Sequence, residues 1–179
     1  MDKASSFREY FLENCTTDEI IYLTDLSNPF SDGVANVSNI EVSFDWLRSG
    51  SISTTEVTVY ISDHITMIAD EATFQFDDGF ISVDTIDLWL DGVECSSITV
   101  ILNGERSGMA GPDLQDNSRD IICSMGANEE YDPDQFNITR SLRDPGSDEN
   151  NDGVVDFIEA FWKEVILLRG TGQDPVLYN

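Results

Sequence analysis

The feature that most constrains the fold is a one-by-one alternation of apolar and polar residues within the segment 38–102. Because successive side chains of a strand point to opposite faces of a sheet, this pattern predicts half-buried β-strands. Residues 121–125 form a shorter apolar run that is also typical of a strand. Four stretches carry the alternation most clearly, at residues 40–46, 57–61, 86–90 and 98–102.

Turn signals separate these stretches and set the predicted fold class. Asp-Gly and Asn-Gly between alternating runs are strong indications of hairpins. The sequence therefore predicts an antiparallel meander of five or six strands. One face of such a sheet has to be covered, so we expect a mainly β fold with flanking helices, in which the meander closes as a β-sandwich or jelly-roll-like domain. The turn signals are Arg48-Ser49-Gly50, Asp77-Asp78-Gly79, Asp91-Gly92 and Asn103-Gly104.

The segments on either side of the alternating region are predicted to be helical. Ser6-Phe7-Arg8-Glu9 is a capping-box pattern. A short helix is expected from Asp132-Pro133 to about Arg143, ending before Pro145. A strongly apolar helix is expected at 157–168. We therefore divide the chain into an N-terminal helical arm (1–30), an antiparallel β domain (31–127) and a helical segment that contains an acidic loop (128–179).

The acidic loop, DENNDGVVDFIE at 148–159, resembles the calcium loop of the EF-hand family. That loop supplies oxygen ligands from positions 1, 3, 5, 7, 9 and 12 and has Gly at position 6, which is Gly153 here. An aliphatic residue, Val155, occupies position 8. The resemblance implies a Ca²⁺ site with these ligands: the side chains of Asp148, Asn150, Asp152 and Glu159, the main-chain carbonyl of Val154, and Asp156 through a water molecule.

The resemblance covers little more than this loop, but it favours one type of calcium loop over another. A paired EF-hand has two loops and an incoming helix that runs directly into each, whereas this chain has one loop and its incoming helix should end at Pro145-Gly146. The stretch is therefore more similar to the calcium repeats of dockerins and to Asp-rich repeats of extracellular adhesive proteins. This implies a structural ion with an affinity of roughly 10⁻⁵ to 10⁻³ M. The alternative is a chance Asx-type turn in an acidic chain.

The charge of the chain excludes some classes of partner. It has 35 acidic and 9 basic residues, which gives a formal net charge of -26. Such a surface repels nucleic acid and anionic membranes and attracts cations. No apolar run reaches the roughly 18 residues that a membrane span needs. Adaptation to salty or calcium-rich water and plain solubility both fit this composition.

Nucleophilic and metal chemistry other than calcium finds little support in the sequence. His64 is the only histidine, and we expect it at the surface. No P-loop, GxGxxG, HExxH or GxSxG motif occurs. Trp46, Trp89 and Trp162 are expected in the core or in an interface rather than in a sugar-binding platform. The three cysteines form no CxxC pair: one disulfide with a free thiol is possible, but we favour three buried thiols, at Cys15, Cys95 and Cys123.

A non-enzymatic structural protein satisfies these expectations together. The N-terminus has no apolar signal-peptide core, whereas the loop and the charge suit an external, calcium-rich medium. A component of a virus or phage particle, made inside a host and then exposed in the virion, reconciles the two and has neighbouring protein subunits as partners. The alternatives are a secreted or cell-surface module that binds carbohydrate or protein, and a secreted hydrolase with a structural calcium ion.

Overall fold

Helices and strands are mixed throughout the chain, and the strands form several sheets rather than a clear β-sandwich. The structure is a computed structural model that describes residues 3–14, 19–24, 31–63, 65–76, 78–129 and 135–179. Of the described residues, 38% are in helices and 24% in strands, so the flanking helices are confirmed but strand is not the dominant element. Among the described residues, no helix has the length and apolar character needed to cross a membrane.

Six helices and nine strands are found in the described residues. The helices are α1 (Lys3–Asn14), α2 (Val37–Gly50), α3 (Val83–Asp91), α4 (Gly111–Leu114), α5 (Ile138–Leu142) and α6 (Phe157–Leu167). The strands are β1 (Leu23–Thr24), β2 (Gly33–Val34), β3 (Glu56–Ile61), β4 (Ile65–Ile68), β5 (Glu71–Phe76), β6 (Gly79–Ser82), β7 (Ser97–Leu102), β8 (Arg119–Cys123) and β9 (Val176–Tyr178).

The central sheet has the strand order β3-β7-β8-β9. Its first three strands are parallel, and β9 is antiparallel to β8. The predicted strands at 57–61, 98–102 and 121–125 are thus confirmed as β3, β7 and β8, but the predicted antiparallel meander is wrong for them. The physical reason is that α3 lies between β3 and β7, and a long connection of this kind returns the chain parallel to the first strand.

The predicted strands at 40–46 and 86–90 are wrong, because these residues lie in α2 and α3. Each helix begins at a side-chain cap. The Asn36 side chain accepts a hydrogen bond from the Asn39 N–H (2.8 Å), and Ser82 Oγ accepts one from the Thr85 N–H (3.2 Å). These caps satisfy main-chain donors that a strand would leave for a neighbouring strand.

One predicted hairpin is confirmed, and the other three turn signals have other roles. Arg48-Ser49-Gly50 forms the last turn of α2. Antiparallel strands β5 and β6 meet around Asp78-Gly79, beside a four-residue strand β4 that completes a second sheet. Gly92 is instead the C-cap of α3. Asn103-Gly104 follows β7 and leads into a loop at the end of the parallel sheet.

The central sheet is buried on both faces, as is usual for parallel strands. Val100 of β7 faces one apolar cluster, which receives residues from α2, α3, α4 and the second sheet. The next residue, Ile101, faces a second cluster, which receives residues from α1, α5 and α6. The acidic loop at 148–159 belongs to this second layer. The C-terminal segment also returns β9 to the sheet, and the division into three segments stays a prediction.

Candidate functional site

The acidic loop is held between a short turn and α6. Helix α5 ends at Leu142, and a 3-10 turn follows at Pro145–Ser147, so the predicted end of the incoming helix before Pro145 is confirmed. Its predicted start at Asp132-Pro133 lies outside the described residues, and the prediction is wrong for 135–137, because the Asn137 side chain caps α5 there. Asp144 accepts a hydrogen bond from the Gly146 N–H (2.9 Å) and pairs with Lys163 of α6 (3.1 Å). The Gly146 amide and then Lys163 hold the pKa of the Asp144 carboxyl below its ordinary value.

The first half of the loop folds around its own side-chain oxygens. The two carboxylate oxygens of Asp148 accept hydrogen bonds from the N–H groups of Asp152 (3.2 Å) and Gly153 (3.0 Å). Asn150 Oδ1 also accepts one from the Asp152 N–H (2.8 Å), and Asp152 Oδ1 accepts one from the Val154 N–H (2.8 Å). Gly153 has φ = 90°, a left-handed conformation that glycine adopts at little cost.

The second half closes on Glu159, in the first turn of α6. Glu159 Oε1 accepts hydrogen bonds from the N–H groups of Glu149 (3.0 Å) and Asn150 (3.1 Å), and Oε2 accepts one from Asp156 (3.2 Å). Asp156 Oδ1 in turn accepts the Glu159 N–H (2.8 Å), which completes a capping box. The Glu159 carboxylate therefore joins both ends of the loop, and this residue is only 8% exposed.

The side chains next to the loop's polar residues anchor it to the core. Val155 packs against the second apolar cluster, as does Phe157, the first residue of α6. Val154, whose carbonyl is the predicted ligand, has a 66% exposed side chain. The predicted start of the apolar helix at 157 is confirmed, and its position follows from the Asp156 cap.

The loop's carboxylates have main-chain partners rather than cationic ones. Among the residues that the structure describes, no lysine or arginine forms an ion pair with Asp148, Asp152, Asp156 or Glu159. In the same residues, no group of three or more acidic, histidine or cysteine side chains is arranged to hold a metal ion. By ligand type the six predicted residues fit calcium, since all of them offer oxygen.

The other residues singled out in the sequence lie apart from the loop. Cys123 is buried, and burial raises the pKa of its thiol to about 12, which makes it a poor nucleophile at neutral pH. Cys95 is half-buried and free. His64 and Cys15 lie outside the described residues.

The three tryptophans do not form one platform. Trp89 of α3 packs against Phe44 of α2, with 5.1 Å between ring centroids, and Trp46 is a half-buried residue of α2. Trp162 lies on α6, which packs against the opposite face of the central sheet, and it is 48% exposed. A sugar-binding surface made of all three rings is therefore excluded.

A second polar cluster, at the carboxyl ends of β7 and β8, was not predicted. We call its five residues, Asn103, Gly104, Ser107, Ser124 and Gln173, the carboxyl-edge cluster. Ser124 Oγ accepts a hydrogen bond from the Gly104 N–H (3.1 Å), and Ser107 lies 3.5 Å away from it, oxygen to oxygen. Gln173 donates to the Ser124 carbonyl (2.8 Å). All five residues are buried.

Two amide oxygens of the carboxyl-edge cluster have no hydrogen-bond partner among the residues that the structure describes. They are Asn103 Oδ1 and Gln173 Oε1, in residues that are 2% and 5% exposed. Buried polar atoms are nearly always paired, so each needs an explanation. The Asn103-Gly104 pair is the sequence signal nearest to this edge, but between alternating runs such a pair predicts a hairpin turn.

Comparison with known proteins assigns no family to the chain. No protein-family model matches it, and no curated protein matches it at a significant level.

Proposed function

We propose that the protein is a non-enzymatic structural protein stabilised by one calcium ion held by residues 148–159. The observation that best supports this proposal is that the loop folds around its own side-chain oxygens. Four carboxylates, of Asp148, Asp152, Asp156 and Glu159, lie within twelve residues. Main-chain N–H groups are the partners given for these carboxylates, and no described lysine or arginine pairs with them. A divalent cation bound by the loop would offset the repulsion among four carboxylates so close in sequence.

The proposed ion acts on structure because of what the loop connects. Glu159 links the two ends of the loop, and Val155 and Phe157 on its outgoing side pack in the second apolar cluster. An ion among the ligands would therefore fix the start of α6 against the central sheet. The packing of Val155 and Phe157 and the Asp156 cap tie the outgoing side of the loop to the core, which supports a structural ion rather than a calcium sensor.

The setting that we propose is a virus or phage particle exposed to a salty or calcium-rich medium. The net charge of -26 supports it, because such a surface stays soluble in salt. Three large apolar side chains exposed on α6, those of Trp162, Ile166 and Leu167, support contact with a neighbouring subunit. A secreted or cell-surface binding module is the alternative, and a secreted hydrolase is the third proposal.

Calcium should raise the melting temperature of the protein, and Glu159→Gln should remove most of that rise. At a calcium concentration about 100 times the Kd, an ion that binds only the folded state adds about 2.7 kcal/mol to the free energy of unfolding. Glutamine keeps a hydrogen-bonding oxygen but loses the charge and the second carboxylate oxygen. The measurement is thermal unfolding in chelator and in a calcium series from about 1 to about 100 mM, which is 100 times the predicted range of Kd.

Glu149→Gln is the matched control for this experiment. It makes the same change of charge within the loop, but Glu149 is exposed and occupies a position that is not among the predicted ligands. The calcium response of Glu149→Gln should therefore remain close to that of the native chain. If Glu159→Gln responds to calcium as strongly as Glu149→Gln, residues 148–159 are not the calcium site.

A second candidate function is ligand binding at the carboxyl-edge cluster. The observation that favours it is the pair of buried amide oxygens without partners among the described residues at the carboxyl ends of β7 and β8. Both unpartnered atoms there, Asn103 Oδ1 and Gln173 Oε1, are acceptors, so they suit a ligand that donates hydrogen bonds. The acidic charge of the chain favours a cationic donor, such as an amine or a guanidinium group.

A crystal structure of the chain soaked with arginine amide tests this second candidate. We expect the guanidinium group to donate to Asn103 Oδ1 or Gln173 Oε1, and Asn103→Leu to reduce the binding measured by titration in solution. A bound ligand would favour the binding module over the particle component. Ordered water on both oxygens, with no arginine amide bound, would remove the candidate.

A further inference from the structure

Helix α1 contacts the outgoing side of the calcium loop through aromatic side chains. Phe157, which directly follows the predicted ligand Asp156, lies with its ring centroid 6.2 Å from Phe7 and 6.1 Å from Phe11. Phe7 is 6% exposed and stacks on Tyr60 of β3 at 4.5 Å. The packing of α1 therefore depends on the position of the first residue of α6.

Helix α1 also contacts the incoming side of the loop. Arg143, the residue after α5, pairs with Glu13 (3.1 Å), and its guanidinium group lies over the Tyr10 ring at 5.9 Å from the centroid. Both members of this ion pair are well exposed, so it adds little stability by itself. It does place the C-terminal part of α1 against the chain that leads into the loop.

The calcium loop lies between these two contact regions. Arg143 precedes the loop and Phe157 lies within its outgoing side, and Glu159 bonds to main-chain groups of both halves. An ion held by ligands from Asp148 to Glu159 would fix one half of the loop relative to the other. The two contact regions of α1 would then be fixed relative to each other.

A helix as short as α1 depends on this surface for its stability. It has 12 residues, and isolated helices shorter than about 12–15 residues are marginal in water. Its aromatic residues Phe7, Tyr10 and Phe11 pack in the second apolar cluster, whereas Leu12 on the same helix is 56% exposed. Movement of Phe157 or Arg143 would therefore weaken both the docking and the helical structure of α1.

We propose that calcium binding at residues 148–159 and docking of α1 are coupled, so that each strengthens the other. The inference rests on the proposed calcium site. Because coupling between two sites is reciprocal, the factor by which calcium strengthens docking of α1 equals the factor by which docking raises the calcium affinity. A change in α1 that depopulates the docked state must therefore lower the affinity for calcium, by up to that factor. The ion would thus hold the N-terminal helix as well as α6 against the central sheet.

Calorimetric titration of the full chain with calcium tests the coupling. Phe7→Ala should lower the calcium affinity by about fivefold or more, which is the lower end of typical coupling between sites. Leu12→Ala, at the exposed position of the same helix, should leave the affinity unchanged. Glu13→Gln removes only the exposed ion pair with Arg143 and should give a smaller loss, so this variant keeps the test valid if Phe7→Ala does not fold.

Hydrogen exchange of the α1 amides gives the reciprocal measurement on the native chain. Calcium should slow exchange within residues 3–14, and Glu159→Gln should abolish the slowing. If the native chain binds no calcium, the proposed site itself is wrong. If it binds calcium, but a folded Phe7→Ala binds equally well and α1 exchange is unaffected by the ion, the coupling is wrong and the site stands.

Discussion

Ile86→Ala should destabilise the fold by about 2–5 kcal/mol, whereas Leu88→Ala should change the free energy of unfolding by less than about 0.5 kcal/mol. Both residues lie in α3, where Ile86 is fully buried and Leu88 is 68% exposed. In a helix, residues two apart point in different directions, while in a strand they share a face. The pair therefore distinguishes the helix from the predicted strand.

Urea unfolding of both variants at one calcium concentration provides the measurement. The slope of the free energy against urea should equal that of the native chain, so that the midpoints report stability alone. Similar losses for Ile86→Ala and Leu88→Ala would contradict the helix, because they would place both side chains on one buried face.

This pair also shows how a helix can carry the one-by-one alternation of a strand, as it does at two places in this sequence. Residues 86–90 alternate like a strand, but Val83, Ile86 and Leu90, which are the buried residues of α3, follow helical spacing. The same holds in α2, where Phe44 is buried and Val42 is 61% exposed. Over such short stretches the same residues fit both the two-residue period of a strand and the 3.6-residue period of a helix. Asn36 and Ser82 are residue types that cap helices, and they were the signals for α2 and α3 in the sequence. The alternation that follows each of them favours a strand instead.

The direction of the central strands could not be obtained from local patterns. Strands β3 and β7 pair in parallel register, Val57 with Ile98, across an intervening sheet and helix. The sequence does contain one signal for parallel strands. Ile101 interrupts the alternation of β7, and Ile122 follows Ile121 in β8. Continuous apolar residues of this kind indicate strands buried on both faces, which is typical of parallel sheets.

The acidic loop was more predictable because its features are local. The end of the incoming helix before Pro145, the left-handed Gly153 and the start of α6 after Asp156 all follow from residues close in sequence. The contacts of α1 with Phe157 and Arg143 could not be predicted, because they join residues more than a hundred positions apart. The carboxyl-edge cluster escaped prediction for the same reason, since it depends on parallel pairing.

A second large loss of stability is expected for Glu164→Ala, which removes the polar link between α5 and α6. Glu164 is fully buried and accepts hydrogen bonds from Arg140 (2.8 Å), the Asn137 N–H (3.0 Å) and the Ser141 hydroxyl. A buried donor left without an acceptor costs about 1–3 kcal/mol. Because the change leaves two donors unpaired, we expect a loss of about 2–5 kcal/mol. Arg140 is 48% exposed and can return to water, so it adds little.

Lys163→Ala is the matched control, since it removes the neighbouring charged residue of the same helix. Its ion pair with Asp144 is partly exposed, and such pairs contribute less than about 1 kcal/mol. Urea unfolding of both variants should be measured in chelator. Any change in calcium binding then contributes to neither free energy of unfolding. If Glu164→Ala costs no more than Lys163→Ala, the buried carboxylate does not hold α5 to α6. The attachment of α6 would then depend on its apolar face and on the loop that precedes it.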